Sequence, residues 1–365
     1  MTESSVSAVT NERMNILSIL LLSPDAKAQL SAIATFRNID QKQFNAFLDL
    51  ANSNHVIVRG MKVFSQIMLA AQDEMRAEWA ISAISAERAR IAKAIGFLHT
   101  LCDAFDEEGV DVTVMKSLDH WPDFGSDIDL YTNTPPRTVC SLMQRRFGAK
   151  IAPRSWGDRL ACKWNFNIAG LPDPIEVHMG RLGQTGEQLV LASTLPGRAR
   201  NVDIDGQNFR VPSASDRIMI STLQRMYRHF YFRLCDVVDS ATLARSGDLD
   251  YQELRFSAER AGIWEGVATY LVIVSDYVNR YSGTDLGLPN FVRDSARFDG
   301  NIVFVKGSFI RVPIMPQSFG LYRSQFGSLI RRRELRSSAR LGLLPWLATA
   351  AAIGYKITGS DKGIW

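Results

Sequence analysis

The sequence has few cysteines, and they form no pattern that would hold a domain together. Its 365 residues include four of them, Cys102, Cys140, Cys162 and Cys235, with no CxxC pair and no dense framework. Such wide spacing fits reduced thiols in a cytoplasmic setting. We therefore expect a cytoplasmic protein with neither disulfides nor a zinc site.

Long apolar runs are also missing. The N-terminal segment MTESSVSAVTNER is polar and lacks a basic region, and the apolar run from Ile16 to Leu22 is short even for a signal-peptide core. The run that comes nearest to a membrane-spanning length, from Leu341 to Ile353, is interrupted by Pro345. These features predict a soluble or peripheral protein that is not exported.

Positive charge is not spread over the chain. The formal net charge is +4, yet the segment from Leu321 to Arg340 alone holds six arginines and one glutamate, which leaves the rest close to neutral. A broad nucleic-acid-binding face usually distributes basic charge over the folded domains. We therefore expect no specific nucleic-acid partner.

The basic tail allows two interpretations. Its arginines precede a short apolar segment that carries Trp346 and Tyr355. This pattern fits a weak peripheral contact of residues 331–355 with an anionic membrane surface. It fits better a C-terminal helix that packs against the rest of the protein and leaves its arginines in solvent.

The hydropathy pattern divides the chain into regions. With 46% hydrophobic residues the chain can bury a large core in two or three lobes. Helical periodicity predicts an N-terminal helical region at 1–105, a second helical domain at 213–290 and a C-terminal region at 291–365. Between them, period-2 alternation begins after Gly109 and predicts strands in a core at 106–212. We predict an α+β fold with a small mixed sheet flanked by helical lobes.

Individual elements follow from the same periodicities. Predicted helices are Ala77 to Phe105, Pro136 to Arg146, Ser213 to Ala244, Asp250 to Gly262 and Glu265 to Tyr281. Predicted strands are Val110 to Met115, Ile128 to Tyr131, Leu160 to Ile168 and Ile175 to Met179, with a hairpin at Asp205-Gly206.

The most informative segment is Val114-Met115-Lys116-Ser117, followed after nine intervening residues by Asp127-Ile128-Asp129. In a strand, residues two apart point to the same side, so both aspartates leave one face about 7 Å apart. Two carboxylates aimed together repel each other unless a cation lies between them.

A third carboxylate has the same setting. Glu176 stands between Ile175 and Val177, on a strand that we expect to form a hairpin with Lys163-Trp164-Asn165-Phe166. Asp127, Asp129 and Glu176 could together bind Mg²⁺ or Mn²⁺ and position a triphosphate for in-line displacement. The alternative is that Asp127 lies in an ordinary turn and Glu176 faces solvent.

These motifs resemble those of the polymerase-β nucleotidyltransferase superfamily. More narrowly, they resemble a bacterial family of uncharacterised nucleotidyltransferases with the pattern LKG, DIDLLV and then hydrophobic-Asp/Glu-hydrophobic-His. Lys116 lies where that family has its lysine, and Glu176-Val177-His178 is similar to the last element.

Further similarities lie outside this core. The family's N-terminal histidine motif resembles Asn54-His55-Val56, and its downstream motifs resemble His229, Arg233, Leu234-Cys235-Asp236 and Asp250-Tyr251. The resemblance thus extends from about Phe36 to Tyr281.

The resemblance implies transfer of a nucleoside monophosphate from a nucleoside triphosphate to a hydroxyl of an unidentified small molecule, sugar, peptide or protein. It implies metal ligation by Asp127, Asp129 and Glu176, with Glu176 also helping to deprotonate the acceptor. Lys116 and Ser117 would contact phosphate.

The superfamily usually has Gly-Ser or Gly-Gly at Lys116-Ser117, and a side chain there hinders close approach of phosphate to the backbone. A binding or regulatory protein that retains the fold without turnover is therefore the second hypothesis.

Basic residues on the predicted helix from Ser213 to Ala244 are further candidates. Arg225, His229 and Arg233 recur every four residues and share one helical face, with Arg228 beside them, and they could bind the nucleotide unless they form a solvated basic face. His178 would share a strand face with Glu176, where it could orient substrate or act as a base. A packed histidine is the alternative. His120 has no partner pattern and receives no role.

Overall fold

The fold is seen in a computed structural model, which describes residues 3–34, 36, 38–171, 173–182 and 187–358. It is the predicted α+β fold, a mixed sheet flanked by helical regions. The α-helices are α1 (Glu3–Leu22), α2 (Ala26–Ala34), α3 (Gln41–Ser53), α4 (Ile57–Ala70), α5 (Glu74–Glu107), α6 (Pro136–Phe147), α7 (Trp156–Leu160), α8 (Glu187–Arg198), α9 (Ala214–Gln224), α10 (Leu234–Arg245), α11 (Tyr251–Ala261), α12 (Trp264–Ser282), α13 (Asn290–Ser295), α14 (Phe319–Arg331) and α15 (Leu335–Thr358).

The strands form three sheets. They are β1 (Thr113–Met115), β2 (Ile128–Thr132), β3 (Lys150–Ile151), β4 (Lys163–Asn167), β5 (Ile175–Met179), β6 (Arg200–Ile204), β7 (Gln207–Val211), β8 (Tyr231–Phe232), β9 (Phe304–Lys306) and β10 (Phe309–Arg311). The main sheet has the order β1-β2-β5-β4-β3, in which β2 and β5 run parallel and the other neighbours antiparallel. β6 and β7 form the hairpin predicted at Asp205-Gly206, and β8, β10 and β9 form a small third sheet.

Helix α5 connects the two main hydrophobic cores. Its first half contributes Ala77 and Ala80 to a core that also includes residues of α1, α3, α4 and α9 to α12. Its second half, including Ile95 and Phe105, packs with the main sheet and α6. The N-terminal helices and the later helices therefore share one core, in which Ser18 Oγ lies 2.8 Å from the Tyr277 hydroxyl. The boundaries at 105, 212 and 290 stay predictions.

The structure corrects the long helix predicted from Ser213 to Ala244. Helix α9 ends at Gln224, a π-helical turn follows at Arg225–His229, and Phe230 adopts a left-handed backbone with φ of 55°. β8 then pairs with β10 before α10 begins at Leu234. Aromatic side chains favour strands, and this tertiary pairing outweighs the helical period. Arg225, His229 and Arg233 therefore do not share one helical face.

The other predicted helix and strand boundaries differ less from the observed ones. The strand predicted from Leu160 begins at Lys163, because Leu160 closes the short helix α7, whose first turn is capped by Ser155. The strand predicted from Val110 is hydrogen-bonded only over Thr113–Met115. β5 has the predicted bounds, and Gly262 ends α11 in a left-handed conformation as expected.

The C-terminal helices combine packing with exposed apolar side chains. Tyr322 of α14 donates a hydrogen bond to the backbone carbonyl of Leu341 in α15, and Leu321 and Leu341 are buried. In contrast, Leu335 and Trp346 are 76% and 74% exposed. The Tyr355 side chain lies outside the described residues. None of the described helices combines the length and apolarity needed to cross a bilayer. The membrane contact of this segment stays a prediction.

Two helical glycines provide a matched test of the packing. An alanine methyl at Gly96 in α5 would meet no atom within 4 Å, whereas one at Gly266 in α12 would overlap the Tyr227 ring of the π-helical turn. Replacing a helical glycine by alanine normally stabilises by about 1 kcal/mol. We expect that gain for Gly96→Ala and a net loss of about 2 kcal/mol for Gly266→Ala, because the ring must move. Urea unfolding of both variants measures this, and equal effects would contradict the described packing.

Candidate active site

The site begins with the parallel pairing of β2 and β5. Its register places Asp129 directly beside Glu176, while their neighbours Ile128, Leu130 and Val177 are fully buried. Like charges directly opposite each other on neighbouring strands are destabilising. The strand alternation predicted from the sequence thus brings two carboxylates together in a place that needs a compensating cation.

Two lysines supply that positive charge. Lys116 Nζ lies 2.5 Å from Asp129 Oδ1 and 3.7 Å from Glu176 Oε1. Lys163 Nζ lies 2.8 Å from Glu176 Oε2 and 3.0 Å from Asp158 Oδ1. The carboxylates are therefore paired with ammonium groups, and Lys116 lies between the two.

The turn after β1 positions Lys116. Met115 pairs with Asp129, and Lys116 follows with φ of 55°, in the left-handed region that favours glycine. The superfamily that the sequence resembles usually has a glycine at this position. Here a lysine adopts the unfavourable backbone conformation, and its ammonium contacts carboxylates on both β2 and β5.

Ser117 fixes the loop that carries the aspartates. Its hydroxyl accepts a hydrogen bond from the Asp129 amide at 2.8 Å and donates one to the Asp127 carbonyl at 3.2 Å. With 2% exposure and its one hydroxyl hydrogen in use, Ser117 acts as a structural clamp. Arg90 of α5 supports the same loop by donating to the Gly125 carbonyl at 3.2 Å.

The two central carboxylates have opposite electrostatic settings. Burial raises the pKa of Asp129, and the charges of Asp127 and Glu176 add to it, so the pKa lies well above its usual value despite Lys116. Burial also acts on Glu176, but Lys116 and His178 outweigh it and hold the pKa of Glu176 well below its usual value. Glu176 is thus the firmly ionised member of the pair.

His178 is a buried partner of Glu176. Its Nε2 lies 2.7 Å from Glu176 Oε1 and 3.8 Å from Asp129 Oδ1, and burial lowers its pKa. A neutral imidazole can donate its Nε2 hydrogen to Glu176. Donor atoms of Asp129, Glu176 and His178 all lie within 4.8 Å of one another, a spacing that could hold a metal ion. Asp127 is outside this group, although it lines the same cavity.

The carboxylates and lysines of the site, but not His178, line a cavity of about 230 Å³. Its wall carries five cationic side chains, those of Lys116, Lys163, Arg225, Arg228 and Arg233. It carries three carboxylates, those of Asp127, Asp129 and Glu176. His55, His120, His229 and Tyr231 complete much of the remaining wall. The excess of positive charge favours an anionic ligand.

The three basic residues predicted on one helix all reach this cavity, by different routes. Arg225 is 4% exposed, with Nε 2.7 Å from Asp236 Oδ2, so it is not part of a solvated face. Burial lowers the pKa of His229 to about 3, and the nearby Arg228 and Arg225 contribute, which leaves a neutral imidazole. Arg233 precedes α10, with its guanidinium carbon 5.9 Å from the centroid of the Phe309 ring.

Sequence reasoning missed several members of the site. Lys163 was assigned only to a hairpin, yet its register opposite His178 places it beside Glu176. His120 carried no motif, whereas Arg228, predicted beside Arg225, does line the cavity. The hairpin register was the one sequence signal that could have revealed Lys163, because residues two apart on a strand share a face.

No protein-family model and no curated protein sequence matches this chain. The crystal structure of an antigenic nucleotidyltransferase-like protein from Paracoccidioides brasiliensis aligns with 45% of this chain and 84% of that chain, at 12% identity and a TM-score of 0.30. Similarity at this level does not identify the function of the chain. The assignment of the site depends on its own geometry.

The role of Lys116 as the compensating cation predicts a large effect of its removal. Lys116→Met should destabilise the protein by about 3 kcal/mol, and by more as pH rises, because Asp129, whose pKa is already well above its usual value, is left buried without its closest cation. Millimolar Mg²⁺ should restore part of that loss, more than it stabilises the parent. Lys150→Met, at an exposed position of β3, is the control. Urea unfolding with and without Mg²⁺ tests this, and a loss below about 1 kcal/mol would refute the role.

Proposed function

We propose that this cavity binds a nucleoside triphosphate with Mg²⁺ or Mn²⁺ and transfers a nucleoside monophosphate to an acceptor hydroxyl. The observation that carries the proposal is the pair of carboxylates, Asp129 and Glu176, fixed side by side on parallel strands in a cavity with five cationic side chains. Carboxylate oxygens are the preferred protein ligands of Mg²⁺. Arginine and lysine are the preferred protein partners of phosphate oxygens.

The donor atoms fit such a metal. Oxygens of Asp129 and Glu176 lie close together, and Asp127 adds a third carboxylate on the same cavity wall. His178 would add a nitrogen donor, better suited to Mn²⁺ than to Mg²⁺, once its ring hydrogen moves to Nδ1 and Nε2 no longer donates to Glu176. The Lys116 ammonium now lies between the carboxylates, so Lys116 must leave Asp129 when a metal binds.

We assign the remaining roles to side chains of the cavity wall. Bound metal would neutralise charge on the triphosphate and on the leaving pyrophosphate. Lys116, once released from Asp129, would contact phosphate, as would Arg228 and Arg233. The lowered pKa of Glu176 suits a metal ligand better than a proton acceptor, so we leave deprotonation of the acceptor out of the proposal. Ser117 would act through the loop it clamps.

A second candidate is an anion-binding protein without turnover. The observation that favours it is that Lys116 and Lys163 already neutralise Asp129 and Glu176 at 2.5 and 2.8 Å. A site that is stable without metal can hold an anion on its arginines alone. Calorimetry separates the candidates, since the enzyme requires metal for productive nucleotide binding and the anion-binding protein does not.

The carboxylates are the direct test of catalysis. Asp127→Asn and Asp129→Asn should each lower Mg²⁺-dependent release of pyrophosphate from nucleoside triphosphates by at least about 100-fold, as expected when an electrostatic stabiliser of the transition state is lost. Asp248→Asn, at an exposed position, should leave the rate unchanged. Circular dichroism verifies folding. Parent-like turnover in both site variants would end the catalytic assignment, and tight nucleotide binding without pyrophosphate release would favour the second candidate.

Removal of Arg228 or Arg233 should lower nucleotide affinity, whereas removal of Arg225 should lower the stability of the fold. Arg228→Ala and Arg233→Ala should weaken nucleotide binding by about 1.5–3 kcal/mol each, with little change in melting temperature. Arg225→Ala should instead destabilise the fold, because it leaves Asp236 buried without its ionic partner. Arg245→Ala, exposed at the end of α10, serves as the control. Calorimetric affinities of Arg228→Ala and Arg233→Ala within twofold of that control would remove both residues from the binding site.

A further inference from the structure

A second group of metal-ligating side chains adjoins the same cavity, with its two histidines in the wall and its buried cysteine beside them, and has no part in the proposed transfer. It consists of His55, His120 and Cys235, whose donor atoms all lie within 4.8 Å of one another. His120 Nε2 is 3.8 Å from Cys235 Sγ. In a tetrahedral zinc site, with Zn–N of about 2.0–2.1 Å and Zn–S of about 2.3 Å, such atoms are about 3.6 Å apart. The spacing is therefore close to that of a metal-bound pair.

The backbone holds two of these ligands together. Asn54 Oδ1 accepts a hydrogen bond from the Leu234 amide at 2.9 Å, and the Cys235 amide donates to the Asn54 carbonyl at 3.3 Å. These contacts join the turn after α3, which carries His55, to the first turn of α10, which carries Cys235. They unite the two motif segments, at residues 54–56 and 234–236, to which the sequence analysis gave no role.

A carboxylate orients the third ligand. Asp239 Oδ2 lies 2.5 Å from His120 Nδ1, so Nε2 is the ring nitrogen directed towards Cys235. Asp239 is itself held by Arg59 at 2.6 Å, and Arg59 is held by Asp123 at 2.8 Å. Histidine ligands of metals almost always have such a carboxylate or carbonyl on the second nitrogen.

His55 supplies an independent observation. It is only 9% exposed, and its Nδ1 has no hydrogen-bond partner among the described residues. Its backbone is also left-handed, with φ of 52°, a conformation unfavourable for a residue other than glycine. A buried polar atom without a partner commonly marks a ligand or an ion. The imidazole lies next to His120, with ring centroids 5.5 Å apart.

Contrary to the expectation from the wide cysteine spacing, we propose that His55, His120 and Cys235 bind Zn²⁺, with the fourth coordination position facing the cavity. Two imidazole nitrogens and one thiolate suit zinc rather than magnesium. Three protein ligands with one open position are typical of zinc sites that take water or a ligand oxygen. The fourth position is therefore available to an oxygen of whatever anion occupies the cavity.

The charges around the site allow a dication there. Arg225 is paired with Asp236, and Arg59 with both Asp123 and Asp239, so one carboxylate charge remains there to offset Arg233, whose charge also acts on His55. The Cys235 thiolate would add a negative charge directly at the metal. The proposal does not depend on nucleotide transfer, because none of its three ligands takes part in that reaction.

Cobalt titration tests the site. Full-length protein, freed of metal with a chelator and kept reduced without thiols, should develop the charge-transfer band of a cobalt–thiolate bond and the visible bands of tetrahedral cobalt, saturating at one thiolate-bound Co²⁺ per chain whatever the carboxylate site takes up. Zn²⁺ should displace it. Asp239→Asn should keep the thiolate band but lower affinity about 10- to 100-fold. Asp129→Asn should leave both band and affinity unchanged, which separates this site from the carboxylate site.

The ligand variants decide the outcome. Cys235→Ser should lose the thiolate band, whereas Cys162→Ser, at a half-buried cysteine away from the cluster, should retain it. Since Cys235 is buried and its variant could fail to fold, His55→Ala provides a second test, with circular dichroism as the folding check. It should lower affinity at least 100-fold. Absence of a thiolate band in the parent protein, or parent-like binding by folded His55→Ala, would overturn the proposal.

Discussion

The parallel pairing of β2 with β5 is the constraint on which the site depends. It places Asp129 beside Glu176 on strands whose other residues are buried, so the pair cannot separate and cannot be fully hydrated. Lys116 and Lys163 follow from this constraint as counter-charges. The left-handed backbone of Lys116 and the clamp formed by Ser117 then hold the loop in the geometry that these ion pairs require.

The strands of the site were predictable because they follow a local rule. Alternation of apolar and polar residues around Asp129 and Glu176 indicated which side chains leave the core, and the observed strands agree. Their neighbour relation was not predictable, because a parallel pair is joined by a long connection whose path leaves no periodic signal. The contact of Lys163 with Glu176 was not predictable for a related reason, because it depends on the register of the β4–β5 hairpin.

The segment from Arg225 to Arg233 shows how a non-local contact overrides a local pattern. Four-residue spacing predicted one helix, yet Tyr231 and Phe232 pair with Arg311 and Ile310, about 80 residues further along the chain. The resulting turn still directs Arg225, His229 and Arg233 into one cavity. These three residues thus lie close together as predicted, although the single helix predicted for them was wrong. For His55, His120 and Cys235, which come from three distant segments, spacing gave no indication at all.

Charge balance explains how one cavity can suit both an anion and a metal. Asp127, Asp129 and Glu176 face only two ammonium groups, those of Lys116 and Lys163, and Lys163 is shared with Asp158, so an excess of carboxylates remains at the base of the site. Under the proposed function, the arginines would attract a bare triphosphate, but the carboxylates at that base would repel it. Asp129 and Glu176 would hold a divalent cation that offsets this repulsion, and Lys116, replaced at Asp129, would be free to contact phosphate. Metal and nucleotide should therefore bind with positive coupling, each raising the affinity for the other by the same factor.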